Sequence, residues 1–123
     1  MKNHILVIDD DESLRKSLAR ILERNGYEVS TASDGREGIK KFSDENIDLI
    51  ITDIYMPDSD GLDVLLKLKE ENSNVKIIAM SGGSKRLGQE FLNFAKDFGA
   101  LYTLKKPFPN EELLSAIKSL LPD

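Results

Sequence analysis

Residues 5–12 read ILVIDDDE, an apolar run that stops abruptly at three aspartates and a glutamate. The apolar residues that follow, Leu14, Leu18, Ile21 and Leu22, recur at helical spacing, so this region predicts a buried strand that leads into a helix. In an open parallel sheet, ligands bind outside the carboxyl ends of the strands, where the strand order reverses. The sequence therefore predicts a polar site directly after this first strand.

Three later apolar runs also end at a polar residue. Asp53 follows IDLIIT, Ser81 follows VKIIAM, and Lys106 follows LYTLK. These runs have the length and composition of buried parallel strands, and residues 47–53 are apolar enough to be buried on both faces. Since the carboxyl ends of parallel strands share one edge of a sheet, we expect carboxylates, a hydroxyl and an ammonium from distant parts of the chain to meet there.

Strand and helix patterns alternate five times along the chain. This alternation predicts an α/β fold with a doubly wound five-stranded parallel sheet and helices on both faces. We expect Asp11 or Ser13 to cap the first helix and Asn110 to cap the last, with Gly26 and Gly99 ending the first and fourth helices. The strands are expected at residues 5–8, 28–32, 47–53, 75–80 and 101–104.

The composition bounds what the protein can do. With 123 residues and 40% hydrophobic content, residues 1–123 are expected to form a single domain. A net charge of −5 disfavours direct binding of nucleic acid, and the lack of cysteine excludes disulfides and thiolate chemistry. No stretch is typical of a signal peptide or a membrane span, so we expect a soluble, cytoplasmic protein with no membrane partner.

The acidic run that follows the first strand has two interpretations. A favourable interaction with the helix dipole accounts for Asp11 and Glu12. Asp9 and Asp10 still belong to the strand end, and one of them would face Asp53 if the sheet reverses there. Two carboxylates about 5 Å apart repel each other by about 3 kcal/mol at an effective dielectric near 20. A Mg²⁺ ion would offset that repulsion.

Lys106 and the Ser81-Gly82-Gly83 triplet also have two interpretations each. Lys106 is either a solvated lysine, as expected for Lys105, or an ammonium that pairs with Asp53 and later with phosphoryl oxygens. The sequence leaves open whether the bond from Lys106 to the following proline is cis. The triplet is either a flexible turn or a hydroxyl beside space for a phosphate. Together with the carboxylates, these residues suit in-line attack of a carboxylate on phosphorus.

The motifs ILVIDDDES, DIYMPDSDG and LKKPF, with a hydroxyl residue after the fourth strand, resemble the receiver domain of two-component response regulators. The resemblance covers essentially the whole chain. The interval from Asp53 to Ser81, 81 − 53 = 28 positions, is usual in that family. The resemblance implies the flavodoxin-like (βα)5 receiver fold with strand order 2-1-3-4-5.

The resemblance also assigns roles in a metal and phosphoacceptor site. Asp53 would be the phosphoacceptor. Asp10, Asp53 and the backbone carbonyl of Tyr55 would hold Mg²⁺, with Asp9 supporting the ion through water. Leu14 matches a position that contacts the kinase in relatives, although its helical spacing is equally typical of a residue at the rim of the core.

Phosphoryl contacts and the switch follow from the same resemblance. Ser81, Gly82 and Lys106 would contact the phosphoryl group. Thr103 stands where many receivers carry an aromatic switch residue, and the interval from Ser81 to Lys106, 106 − 81 = 25 positions, is longer than is common. We therefore expect activation to reorder mainly residues 81–88 and the start of the fourth helix. The basic residues of the first helix are expected to form a solvated face: Arg15, Lys16, Arg20 and Arg24.

The function implied by the resemblance is that of a response regulator receiver. It would take a phosphoryl group from a sensor histidine kinase or histidine phosphotransfer protein onto Asp53 with Mg²⁺ and then change its binding surface for a downstream protein. Slow self-dephosphorylation would make it a switch and not a metabolic enzyme. The sequence identifies neither kinase nor target, and it leaves open the phosphoryl lifetime, the oligomeric state and whether an output domain follows Asp123.

Three other functions are less consistent with these residues. A phosphatase of the haloacid dehalogenase type needs a second acid two residues after its nucleophile, where this chain has Tyr55. A flavodoxin-like FMN binder would present hydroxyls and glycine to the phosphate, whereas residues 9–11 would repel it. A degenerate receiver would not retain the full acidic set together with Lys106.

Overall fold

A computed structural model describes residues 2–56, 59–82 and 93–121, with the backbone alone for residues 55–56 and 59–62. The strands are β1 (His4–Ile8), β2 (Glu28–Ala32), β3 (Leu49–Asp53), β4 (Tyr55–Met56), β5 (Ser59–Asp60), β6 (Lys76–Ser81) and β7 (Tyr102–Lys105). The helices are α1 (Glu12–Arg24), α2 (Gly35–Asp44), α3 (Gly61–Glu71), a helical segment at residues 93–97 (α4) and α5 (Asn110–Leu120).

Five parallel strands form one sheet in the order β2-β1-β3-β6-β7. Counted along the sheet's own strands, this order is 2-1-3-4-5, which confirms the expected doubly wound topology. The strand order reverses between β1 and β3, which lie side by side with Ile8 paired to Thr52. The residues that follow this pair in each strand, Asp9 and Asp53, therefore reach the same point of the sheet edge.

Helices cover both faces of the sheet, which explains why β1 and β3 are apolar at successive positions. On one face, residues of α2, α3 and α4 pack on alternate strand positions, and the buried members include Leu6, Ile8, Ile50, Val64, Leu65, Leu68, Ile77 and Ala95. On the other face, α1 and α5 pack on the intervening positions, and the buried members include Ile5, Val7, Leu18, Leu22, Ile51, Ile78, Leu113 and Ile117. Burying each large side chain contributes about 1.5–3 kcal/mol.

Local capping fixes where several helices begin and end. Asp11 caps α1, because its carboxylate accepts a hydrogen bond from the Leu14 backbone N–H at 3.2 Å. Gly26 has a φ of 90° just after α1, and Gly99 has a φ of 109° just after α4, where glycine avoids the clash that a Cβ would cause. The expected glycine stops are confirmed.

The expected cap of α5 is wrong. Asn110 is the first helical residue, and Pro109 precedes it as the N-cap with no side-chain cap bond. Pro109 is extended, with ψ 144°, and its carbonyl accepts from the Glu112 N–H at 3.1 Å. The proline thus already fills the position whose carbonyl starts the helix, so the boundary falls one residue earlier than the sequence suggested.

The short antiparallel pair β4–β5 follows the sheet edge directly after β3, with Tyr55 opposite Asp60, and it was not expected from the sequence. No helix in the described part of the chain has both the length and the hydropathy needed to cross a bilayer.

Helix α2 approaches β1 closely at Gly38. A Cβ placed on this glycine would lie only 2.8 Å from Cγ1 of Ile8, a fully buried side chain. Such an overlap cannot relax without moving the helix or forcing Ile8 off its rotamer. Gly38 therefore sets the distance between this helix and the strand that directly precedes Asp9.

We predict that Gly38→Ala lowers the free energy of unfolding by about 1 kcal/mol, because overpacking costs about 1–3 kcal/mol and outweighs alanine's advantage of about 1 kcal/mol in helix propensity. Urea denaturation measures the change. The control is the same substitution in an Ile8→Val background, where removal of the Ile8 Cδ1 should reduce the loss. A stabilising effect of Gly38→Ala in the wild-type background would contradict the prediction.

Candidate functional site

Three carboxylates gather at the carboxyl edge of the sheet, as the sequence predicted. Asp9 and Asp53 are brought together by the pairing of β1 with β3, and both are buried, at 0% and 4% exposure. Asp10 is exposed, yet its carboxylate belongs to the same cluster, in which one oxygen from each residue lies within 4.8 Å of the others. The arrangement concentrates negative charge at the point where the strand order reverses.

Lys106 contacts two of these carboxylates at once. Its Nζ lies 2.7 Å from Oδ2 of Asp53 and 2.6 Å from Oδ2 of Asp9. The pair with Asp53 was expected, whereas the pair with Asp9 was not. The Lys106 backbone N–H donates to the Ser81 carbonyl at 2.8 Å, which directs the lysine back over the sheet edge. Lys105 is exposed as expected, and the bond from Lys106 to Pro107 is cis.

The charge state of Lys106 follows from these contacts. Burial lowers the pKa of the ammonium, but the hydrogen bonds and charges of Asp53 and Asp9 outweigh it, so the pKa is raised above the ordinary value of 10.5. A lysine whose pKa is raised by folding stabilises the folded state fully at pH values below its pKa in the unfolded chain. This stabilisation is lost as the pH rises through its pKa in the folded state. The ammonium is therefore charged at neutral pH and offsets the repulsion between the carboxylates.

Hydrogen bonds engage both the side chain and the backbone of Asp9. Its Oδ1 accepts from the Asp11 N–H at 2.9 Å, and its Oδ2 accepts from Lys106. The Asp9 N–H donates to the Ala32 carbonyl at 3.1 Å, and Asp9's own carbonyl accepts from Nη1 of Arg15 at 2.7 Å. Both carboxylate oxygens are thus engaged by protein donors, which makes Asp9 the fixed member of the cluster.

Arg15 departs from the expected solvated face of the first helix. It is half-buried and hydrogen-bonds the strand end, whereas Lys16, Arg20 and Arg24 are exposed as expected. By charge alone, Arg15 cannot be distinguished from these three residues. The distinguishing feature was position, since Arg15 lies one turn after the Asp11 cap, on the side of α1 that faces the strand end.

Ser81 and Gly82 lie at the end of β6, next to β3. Ser81 is buried, and among the described residues its hydroxyl donates a single long bond, of 3.4 Å, to the Gly82 carbonyl. A weakly held hydroxyl is able to change partners at low cost. A Cβ on Gly82 would meet Lys106 only at ordinary contact distance, so the neighbouring lysine does not require glycine at this position. Gly83 lies outside the described residues.

Three further candidate residues lie within the described part of the chain. Thr103 is half-buried on β7, opposite Ala79 of β6. Leu14 is half-buried and packs against the core beneath α1, so it occupies the rim of the core. Tyr55 begins β4, and the role of its carbonyl stays a prediction. Most of the loop expected to reorder, residues 83–88, lies outside the described part of the chain.

Comparison with known proteins identifies similar sequences over nearly the whole chain. The family model described as the response regulator receiver domain matches residues 5–118. The response regulator MprA of Mycolicibacterium vanbaalenii is 37% identical over 124 residues, which covers 98% of this chain and 51% of MprA. The chain thus spans about half the length of the curated relatives it matches.

Solved structures show the same fold. The chemotaxis protein CheY4 of Vibrio cholerae has a TM-score of 0.87 and 29% identity, with 98% of this chain and 100% of that chain covered. The response regulator TrrA of Thermotoga maritima, solved in complex with Mg²⁺ and BeF, has a TM-score of 0.83 and 36% identity, again covering 98% and 100%.

We predict that Lys106→Gln lowers the free energy of unfolding at neutral pH by about 1–3 kcal/mol, because two buried carboxylates lose their shared cation and partial exposure screens the effect. Urea denaturation in chelator measures this change. Lys105→Gln is the matched control, since an exposed neighbour should change stability by less than about 0.5 kcal/mol. Equal stability of the two variants would show that Lys106 does not compensate the carboxylates.

Proposed function

The chain belongs to the response regulator receiver domain family, and from this premise we propose that it accepts a phosphoryl group on Asp53. The observation that carries the proposal is the buried Asp53 carboxylate held by Lys106 beside Asp9 and Asp10. A carboxylate nucleophile, an ammonium that neutralises developing charge and further carboxylates that can hold a divalent metal ion suit phosphoryl transfer to an aspartate.

The residues support a single displacement at phosphorus. A carboxylate oxygen of Asp53 attacks the phosphorus of a phosphohistidine, a new O–P bond forms, and the P–N bond breaks. The departing imidazole nitrogen keeps the electron pair and takes up a proton from solvent. Lys106 already bonds Oδ2 of Asp53, so its ammonium both orients the nucleophile and lies near the charge that develops on the phosphoryl oxygens.

The donor set at this edge fits Mg²⁺. Carboxylate oxygens are the hard ligands this ion prefers, and three residues bring theirs within 4.8 Å of one another. Asp10, Asp53 and the Tyr55 carbonyl would hold the ion. Both oxygens of Asp9 are already engaged, which supports a role for Asp9 through water. When bound, Mg²⁺ neutralises charge on the transferring phosphoryl oxygens.

The change that follows transfer would begin at Ser81 and Lys106. The Ser81 hydroxyl, weakly held by Gly82, would turn to donate to a phosphoryl oxygen, while Lys106 would keep its contact with the modified Asp53. Thr103 offers only a small side chain to move in response. We therefore propose that residues 81–88 carry most of the rearrangement to the binding surface.

The partners follow from the family at a coarse level. Response regulators are phosphorylated by histidine kinases and act on downstream targets. For this chain we propose a sensor histidine kinase or a histidine phosphotransfer protein as donor and a protein as target. Each transfer modifies Asp53 covalently and slow hydrolysis restores it, so we propose a switch and not a metabolic enzyme.

We predict that incubation with acetyl phosphate and Mg²⁺ adds one phosphoryl group to the wild-type chain and none to Asp53→Asn, because an amide is a poor nucleophile. Intact-mass spectrometry measures the addition. Asp63→Asn, at an exposed position on α3, is the control and should label like wild type. Labelling of Asp53→Asn to the wild-type level would refute Asp53 as the acceptor.

We predict opposite effects of Asp10→Asn on metal binding and on stability. The variant should bind Mg²⁺ more weakly, while in chelator it should be more stable by about 1 kcal/mol, since like-charge repulsion is relieved and solvent screens part of it. Calorimetric titration and urea denaturation measure the two quantities. The control is Asp97→Asn, at an exposed position on α4, which should change neither Mg²⁺ binding nor stability. A less stable metal-free Asp10→Asn protein would argue against the prediction.

A further inference from the structure

The Asp10 carboxylate is positioned by its backbone. It is exposed, and no side chain in the described ranges 2–54, 63–82 and 93–121 forms a hydrogen bond or ion pair with it. Its neighbours in the cluster differ, because Asp9 and Asp53 are both buried and both bonded to Lys106. Whatever fixes the backbone at Asp10 therefore determines whether its carboxylate stays near the other two.

Both peptide groups that flank Asp10 are hydrogen-bonded. In the preceding group, the Asp9 carbonyl accepts from Nη1 of Arg15 at 2.7 Å. In the following group, the Asp11 N–H donates to Oδ1 of Asp9 at 2.9 Å. Because peptide groups are planar, fixing the two planes leaves Asp10 little freedom in φ and ψ.

Arg15 is suited to hold this turn. Its own N–H donates to the Asp11 carbonyl at 2.9 Å and so closes the first turn of α1, while its side chain reaches back to Asp9. One residue thus ties together the segments on either side of Asp10. The guanidinium is half-buried and permanently charged, and a charged donor gives a stronger bond to a carbonyl than a neutral one.

We propose that Arg15 is a positioning residue for the metal site, which holds the Asp10 carboxylate beside Asp9 and Asp53 through its bond to the Asp9 carbonyl. This inference rests on the proposed Mg²⁺-dependent function. A positioning role and a purely electrostatic role of Arg15 predict opposite effects of its removal on Mg²⁺ affinity. Removing a positive charge near the carboxylates strengthens cation binding by electrostatics alone, whereas loosening the turn weakens it.

The test compares three variants by calorimetric titration with MgCl₂. Arg15→Gln removes the charged donor, Arg15→Lys retains the charge and a donor of different geometry, and Arg20→Gln removes an exposed charge from the same helix. We expect Arg15→Gln to weaken Mg²⁺ binding about tenfold, Arg15→Lys to weaken it less, and Arg20→Gln to leave it unchanged. Unchanged or tighter binding by Arg15→Gln overturns the proposal.

A second readout needs no metal. Hydrogen exchange in chelator should be faster at the Asp11 amide in Arg15→Gln than in wild type, while urea denaturation shows that the fold is retained. Unchanged exchange at that amide overturns the proposal. If Arg15→Gln does not fold, Arg15→Lys carries the test by the same criteria. Failure of the wild-type chain to bind Mg²⁺ or to label at Asp53 instead refutes the proposed function itself.

Discussion

Two buried carboxylates that share one ammonium are the constraint around which this molecule is organised. Asp9 and Asp53 lie at the same point of the sheet edge because β1 and β3 are neighbours. Neither carboxylate is exposed enough for water to hydrate its charge. Breaking a buried ion pair leaves an uncompensated charge that costs several kcal/mol. The fold must therefore bring Lys106, from the far end of the chain, to within 2.7 Å of both.

The sheet achieves this through its order and its edge contacts. β6 lies between β7 and β3, and β3 lies between β6 and β1, so the Lys106 side chain has to extend across the end of β6 to reach Asp53 and Asp9. The bond from the Lys106 N–H to the Ser81 carbonyl gives it that direction. The same contact joins the residue proposed to sense the phosphoryl group to the residue proposed to neutralise it. Packing on both faces supplies the rigidity, since the strand positions that precede the site are buried on either side.

Much of this arrangement was readable in the sequence. Apolar runs that end at Asp9, Asp53 and Ser81 predict parallel strands with a shared polar edge, and the family resemblance supplied the strand order. Periodicity cannot reveal side-chain bonds to backbone atoms, so the contact of Arg15 with the Asp9 carbonyl was missed. It also cannot locate a helix start when a proline and an asparagine compete, which is why Asn110 was assigned as a cap.

Because both carboxylate oxygens of Asp9 accept hydrogen bonds, Asp9 and Asp10 differ in how well they tolerate replacement by asparagine. Asparagine has one acceptor oxygen where Asp9 needs two, so the amide would turn an N–H toward Asp11 or Lys106, which are both donors. Within the described residues, no donor makes such a demand on the Asp10 carboxylate. Under the proposed function, libraries that randomise this cluster would therefore lose folded protein when Asp9 is replaced, and would lose Mg²⁺ binding in well-expressed protein when Asp10 is replaced.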